Sequence, residues 1–191
     1  MALVDPRPRR RCARCGNFLV HDRVELVLAG LFAVLAGRFG LDGPLVAYSA
    51  YTVALVGVAI IDLRHRYVYT VMTFPAILGS VLLTPLLTDV SVGATAAGAG
   101  LGALTFGLMY LVGHWLYPAT EPLGKGDIEV AVLAGAMVGF PRIIAALFLG
   151  SVVNAIVILA LLVARRRSRT DFVPYTPALC AGIFAAFFLP G

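Results

Sequence analysis

Charge is what this sequence has least of. Only 13% of its 191 residues are Asp, Glu, Lys or Arg, against about 25% in an ordinary soluble domain. That scarcity excludes a compact globule coated with polar side chains, because 60% of the residues are hydrophobic and they fall in long runs. Lysine is nearly absent: Lys125 stands alone among 15 basic residues, the rest being arginines. Cysteine is scarce too. Cys12, Cys15 and Cys180 make an odd set with one close pair, which is no disulfide framework. No interleaving of aromatic and basic side chains of the kind that grips nucleic acid is found, and no internal repeat. The net charge of +5 therefore points to anionic membrane lipid headgroups as the partner, not to nucleic acid.

What the sequence does have is a succession of apolar runs, at about 24–39, 44–61, 69–87, 92–117, 128–140, 143–164 and 175–189. Each is closed by charges, Gly or Pro. A spanning helix needs roughly 20 apolar residues, so the pattern predicts one all-α membrane bundle of about seven transmembrane helices. Residues 1–23 form a basic cytosolic segment before it, and 24–191 form the membrane domain. The N-terminus is not a cleavable signal peptide: Arg7, Arg9, Arg10 and Arg11 are followed by a polar stretch and then by a full-length span. The Ala/Gly-rich stretch 93–102 suits close helix packing.

Parity tests the orientation. With seven spans and a cytoplasmic N-terminus, every basic residue except Arg38 and Arg142 falls inside, as the positive-inside rule demands. Trp115 and Tyr117 then lie at the inner end of the fourth span, where interfacial aromatics belong. The fifth span is short. Its 13 residues make about 20 Å of helix, against a hydrocarbon core of about 30 Å. The segment Gly124-Lys125-Gly126-Asp127 before it is therefore expected to dip into the protein as non-helical backbone lining a cavity.

Asp62 ends the second span and Asp127 begins the fifth, so parity puts both at the cytoplasmic ends of their helices. Ionisable groups at membrane depth are costly and are functional candidates by default. Two nearby carboxylates do not readily both ionise. Sharing one proton gives the pair a base to activate water and an acid to protonate a peptide carbonyl or leaving amine. Taken singly, each has a plainer explanation. Asp62 is placed to pair with Arg66 four residues on. Asp127 is placed to cap the following helix, and Gly124 and Gly126 suit any loop as well as close approach of a substrate backbone.

The motifs narrow this. Ile61-Asp62-Leu63-Arg64-His65-Arg66-Tyr67-Val68, running on to Thr73-Phe74-Pro75, resembles the first catalytic motif of the prepilin peptidases. Leu123-Gly124-Lys125-Gly126-Asp127 resembles their G-x-G-D motif, and Val173-Pro174-Tyr175-Thr176-Pro177-Ala178 the P-F-G-P-like start of their last helix. Cys12-Ala13-Arg14-Cys15-Gly16, followed by Val24-Glu25-Leu26, is similar to the C-x-x-C-G and V-E-L elements before their first peptidase span. The resemblance covers most of the chain in consistent order. It implies a multi-pass aspartic endopeptidase of the bacterial cytoplasmic membrane. Asp62 and Asp127 would be its catalytic pair, and Gly124 and Gly126 would form the supporting loop. Its substrates would be prepilin-like proteins whose short basic leaders are cut at the cytoplasmic face.

The chain departs from that pattern at three places. Tyr69 and Thr70 stand where Pro and Asn are usual, and Glu129 stands where a Lys often follows the second Asp. Only one C-x-x-C pair is present, where members with a methyltransferase region carry two. A tetrahedral structural zinc wants four ligands. Cys12 and Cys15 supply two, His21 is a candidate third, and Cys180 lies inside the last span. The expectation is a short form that needs no cofactor for peptide hydrolysis. Glu121 and Glu129 are placed to attract a basic leader. Two alternatives stay open. A proton-coupled transporter would use the same carboxylates as a relay, although its usual paired broken helices and related halves are not found here. An inactive assembly factor would keep the scaffold and tolerate Tyr69 and Glu129.

Overall fold

A computed structural model describes residues 21–65, 67–116, 124–164 and 175–189, with side chains from residue 24. Within them the chain is all α: α1 (His21–Phe39), α2 (Gly43–His65), α3 (Thr70–Leu87), α4 (Val92–Leu116), α5 (Lys125–Val138), α6 (Arg142–Val163) and α7 (Thr176–Ala186). The apolar runs read from the sequence coincide with these helices to within a few residues. Four of them, α2, α3, α4 and α6, are long and apolar enough to cross a membrane. Large apolar side chains on their outer faces are exposed, among them Val71, Leu86, Leu111, Phe148, Ile156 and Val163. In a bilayer that is the lipid-facing surface.

The short helix α5, of 14 residues, lies at the centre. Eight of its residues, from Val130 to Val138, are buried, and α3, α4, α6 and α7 pack around it. Lipid tails are as apolar as leucine, so helices in a membrane are held by close packing and by polar contacts. Both are present. A Cβ added to Gly98 of α4 would stand 2.5 Å from the Gly135 carbonyl oxygen of α5, and one added to Gly102 would stand 2.2 Å from that of Ala131. The small residues expected to bring helices together thus place α4 backbone against α5 backbone. The α6–α7 pair repeats the device, with a Cβ on Gly182 falling 2.4 Å from the Gly150 nitrogen.

A hydroxyl chain ties three helices. Thr84 of α3 donates to the Ala136 carbonyl of α5 at 2.8 Å. Its one hydrogen is then committed, so Tyr51 of α2 donates to Thr84, also at 2.8 Å.

Two expectations need correction. The segment 124–127 is not an irregular re-entrant loop: Lys125, Gly126 and Asp127 form the first turn of α5, and of the four only Gly124, its N-cap, is extended. The helix is shorter than a hydrocarbon core is thick, but most of it is covered by protein. The last helix is shorter than the apolar run 175–189, ending at Ala186 before a turn carries Phe187 and Phe188 back over the core.

Candidate active site

Asp62 lies in the last turn of α2, followed by the exposed Arg64 and His65, cations that suit the negative end of a helix dipole. Its own side chain points inward: the residue is only 6% exposed, and its Oδ2 has no hydrogen-bond partner. The Arg66 partner considered for it lies outside the described residues.

Asp127 is the third residue of α5, not its N-cap. Its Oδ2 accepts the Gly124 N–H at 3.3 Å, and its own N–H donates to the Gly124 carbonyl at 3.1 Å. A carboxylate in the first turn answers the unpaired N–H groups and the positive end of the helix. The capping role and a chemical role are therefore compatible, because one oxygen does the capping and the other is left over.

That second oxygen turns to α7. Thr176, the first residue of that helix, donates its hydroxyl to Asp127 Oδ1 at 2.9 Å. Asp62 lies near enough for the charge of Asp127 to reach it. The two aspartates, 65 positions apart in the chain, thus come together at one end of the bundle. One turn along α7 lies the buried Cys180.

Gly126 closes the assembly from the side. A Cβ there would fall 2.5 Å from Val68 Cβ. The absence of a side chain lets the α2–α3 connection, Tyr67 to Tyr69, lie directly on the start of α5. The close approach anticipated for a substrate is made here by the chain itself.

Glu129 does not touch Asp127. It accepts hydrogen bonds from Thr70, at 2.7 Å, and from Thr73. Its charge is held against the first turn of α3, on a face of α5 turned away from the aspartates. The residues that depart from the usual pattern at 70 and 129 are therefore partners of each other.

Beside this end of the bundle, a cleft of about 240 Å³ opens between α4 and α6, lined mainly by Phe106, Met109, Leu147, Phe148, Ser151 and Tyr175. The Tyr175 hydroxyl lies 3.0 Å from that of Ser151. Tyr175 also senses the Asp127 charge, so the cleft ends one residue from the Thr176–Asp127 bond. Cys12, Cys15 and Glu121 lie outside the described residues. Among the described residues no group of three or more His, Cys, Asp or Glu side chains is arranged to hold a metal ion. Reading the sequence missed Thr176 and the Thr70–Thr73–Glu129 contact.

Comparison with known proteins gives a consistent picture. The family model described as the type IV leader peptidase family matches residues 49–159, which include both aspartates. A protein of Myxococcus xanthus named prepilin leader peptidase/N-methyltransferase is 31% identical over 202 aligned residues, covering 90% of this chain and 60% of that protein. Its namesake in Bacillus subtilis is 26% identical, covering 93% of this chain and 70% of the relative. The one in Aeromonas hydrophila is 28% identical, covering 90% and 59%. The chain thus spans about 60% of the length of the Myxococcus and Aeromonas relatives. No solved structure matches it significantly.

Proposed function

The chain belongs to the type IV leader peptidase family, and from that premise we propose that it is an aspartic endopeptidase that cuts the leader from prepilin-like proteins. The observation that carries the reading is the meeting of Asp62 and Asp127 at one end of the bundle, with the Thr176 hydroxyl donating to Asp127. The chemistry needs nothing else. One carboxylate takes a proton from water while the other gives its proton to the peptide carbonyl oxygen, and the water oxygen bonds to the carbonyl carbon. When the resulting diol collapses, the C–N bond breaks. The first carboxyl passes its new proton to the departing amine, and a diol hydroxyl returns a proton to the second. Water is consumed, acid and amine are formed, and both aspartates end as they began.

The site faces the cytoplasm of a bacterial cytoplasmic membrane in this reading, which the arginine distribution supports. The apolar cleft between α4 and α6 offers a substrate helix a route beside the aspartates, because a chain segment at membrane depth must be helical. The reaction is taken to need no metal. Cys12→Ser combined with Cys15→Ser should leave cleavage largely intact, and stoichiometric zinc with activity lost on chelation would overturn that part. The test of the whole reading is leader cleavage in membranes. Wild type should process a prepilin-like substrate, and Asp62→Asn and Asp127→Asn should each lose essentially all of it while still accumulating. Either variant keeping more than a few per cent of wild-type cleavage would remove the proposal.

A further inference from the structure

Thr176 stands where no step of the reaction just described uses it. It is 1% exposed, begins α7, and puts its hydroxyl against the Asp127 carboxyl. Its hydrogen accounts for more than packing. A threonine hydroxyl has one hydrogen to donate and lone pairs with which to accept. That hydrogen goes to Asp127 Oδ1 at 2.9 Å. The other oxygen of Asp127 accepts the Gly124 N–H. With both oxygens receiving donors, Asp127 is dressed as a carboxylate. Asp62 is in the opposite position. It is buried and its Oδ2 has no partner. A buried carboxyl oxygen that receives no donor favours the protonated form.

We infer that Thr176 is a positioning residue that holds Asp127 in place as the base, leaving the shared proton on Asp62. The inference rests on the proposed peptidase reading and assigns the roles within it. In the first step Asp127 takes the proton of the attacking water, and Asp62 gives its own to the carbonyl oxygen. The collapse of the diol returns both carboxyls to their starting states. The other ionisable groups around the pair do not compete for this place. Cys180 is a buried thiol one turn along α7, Tyr175 is paired with Ser151, Glu129 is held by Thr70 and Thr73, and Arg64 and His65 are exposed.

The test is the kinetics of leader cleavage by the full-length chain carrying Thr176→Val, which keeps the shape and removes the hydroxyl, beside Thr176→Ser, which keeps the hydroxyl. Thr176→Val should lower kcat by about tenfold or more, the order of one lost hydrogen bond to a charged group. It should leave KM within about twofold and move the pH–rate maximum. Thr176→Ser should stay within about threefold of wild type with the wild-type pH profile. If Thr176→Val does not accumulate, Thr176→Ala makes the same comparison with less bulk. Wild-type kcat and pH profile without the hydroxyl would overturn the inference. So would a Thr176→Ser variant as poor as Thr176→Val, because the methyl and not the hydroxyl would then matter. Asp62→Asn and Asp127→Asn run in the same assay separate the two levels. If they stay active the peptidase reading falls and this inference with it. If they are dead while Thr176→Val is unaffected, only the role of Thr176 falls.

Discussion

Gly126 and Val68 occupy one space: a Cβ on the glycine would sit 2.5 Å from the Cβ of the valine. The obstructing atom is bonded to the backbone and has no rotamer to escape into. Gly126→Ala therefore has to push the α2–α3 connection away from α5, and with it the end of α2 that carries Asp62. Overpacking of this kind costs about 1–3 kcal/mol, and the displacement should cost activity more than stability. We expect Gly126→Ala to lose at least about 90% of cleavage, because a misplacement near 1 Å costs on the order of a hundredfold. Adding Val68→Gly, which removes the obstructing atom, should restore part of it. No recovery in the double variant would mean that Gly126 serves something other than this contact.

The pair should titrate as a pair. At low pH both carboxyls hold protons and no base remains, whereas at high pH neither does and no acid remains. Cleavage by the wild type is expected to follow a bell in pH whose two limbs belong to the coupled system and not to one residue each. The double variant Asp62→Asn/Asp127→Asn should be no slower than the worse single one, since the two act as a unit. The exposed Asp89, beyond the far end of α3, provides the control: Asp89→Asn should cleave at close to the wild-type rate. A sigmoidal profile with a single limb, or additive losses, would contradict a shared-proton mechanism.

Glu129 is expected to matter for stability more than for rate. Its two oxygens accept from Thr70 and Thr73, fastening α5 to the start of α3. Glu129→Gln replaces one acceptor by a donor and should cost about 1.5–3 kcal/mol, the range for a hydrogen bond to a charged group. The thermal midpoint in detergent should fall, while cleavage by the folded fraction stays within about threefold of wild type. Loss of activity as deep as that of Asp127→Asn would place Glu129 in the chemistry instead.

The orientation can be read directly. A reporter fused after Leu189 should behave as external and one fused before Val24 as cytoplasmic, if all seven helices cross the membrane in turn. Four of them are long and apolar enough to do so. Cytoplasmic activity of the C-terminal fusion would show that α1, α5 or α7 does not cross.

The apolar runs made the helices legible, because the bilayer imposes a length and a composition that a sequence displays openly. The position of Asp62 and Asp127 at helix ends on one side followed from counting spans. What could not be read was rotation about each helix axis. In a water-soluble helix the apolar stripe announces which face turns inward, but α2, α3 and α6 are apolar on every side. Nothing in the sequence therefore said that Thr70 and Thr73 would meet Glu129. Thr176 left a fainter trace. In Pro174-Tyr175-Thr176-Pro177 a hydroxyl stands where the P-F-G-P-like pattern has glycine, a substitution that has meaning only once α7 is known to begin against Asp127. The helical start of α5 was misjudged for a simpler reason. Two glycines in four residues look like loop, yet Gly126 is accepted in the first turn because Val68 fills the space beside it.

The burial of α5 has one more consequence. Membranes differ in thickness by several ångströms, and a helix in contact with lipid answers by tilting or by stretching its neighbours. Here the helices exposed to that force are the outer ones. The helix that bears Asp127 is buried in protein along Val130–Val138 except at the half-buried Val132, gripped at Ala131 and Gly135 by the backbone of α4. Hydrophobic mismatch should therefore act on the outer helices, α2 with Asp62 among them, while α5 keeps Asp127 at a fixed place in the protein.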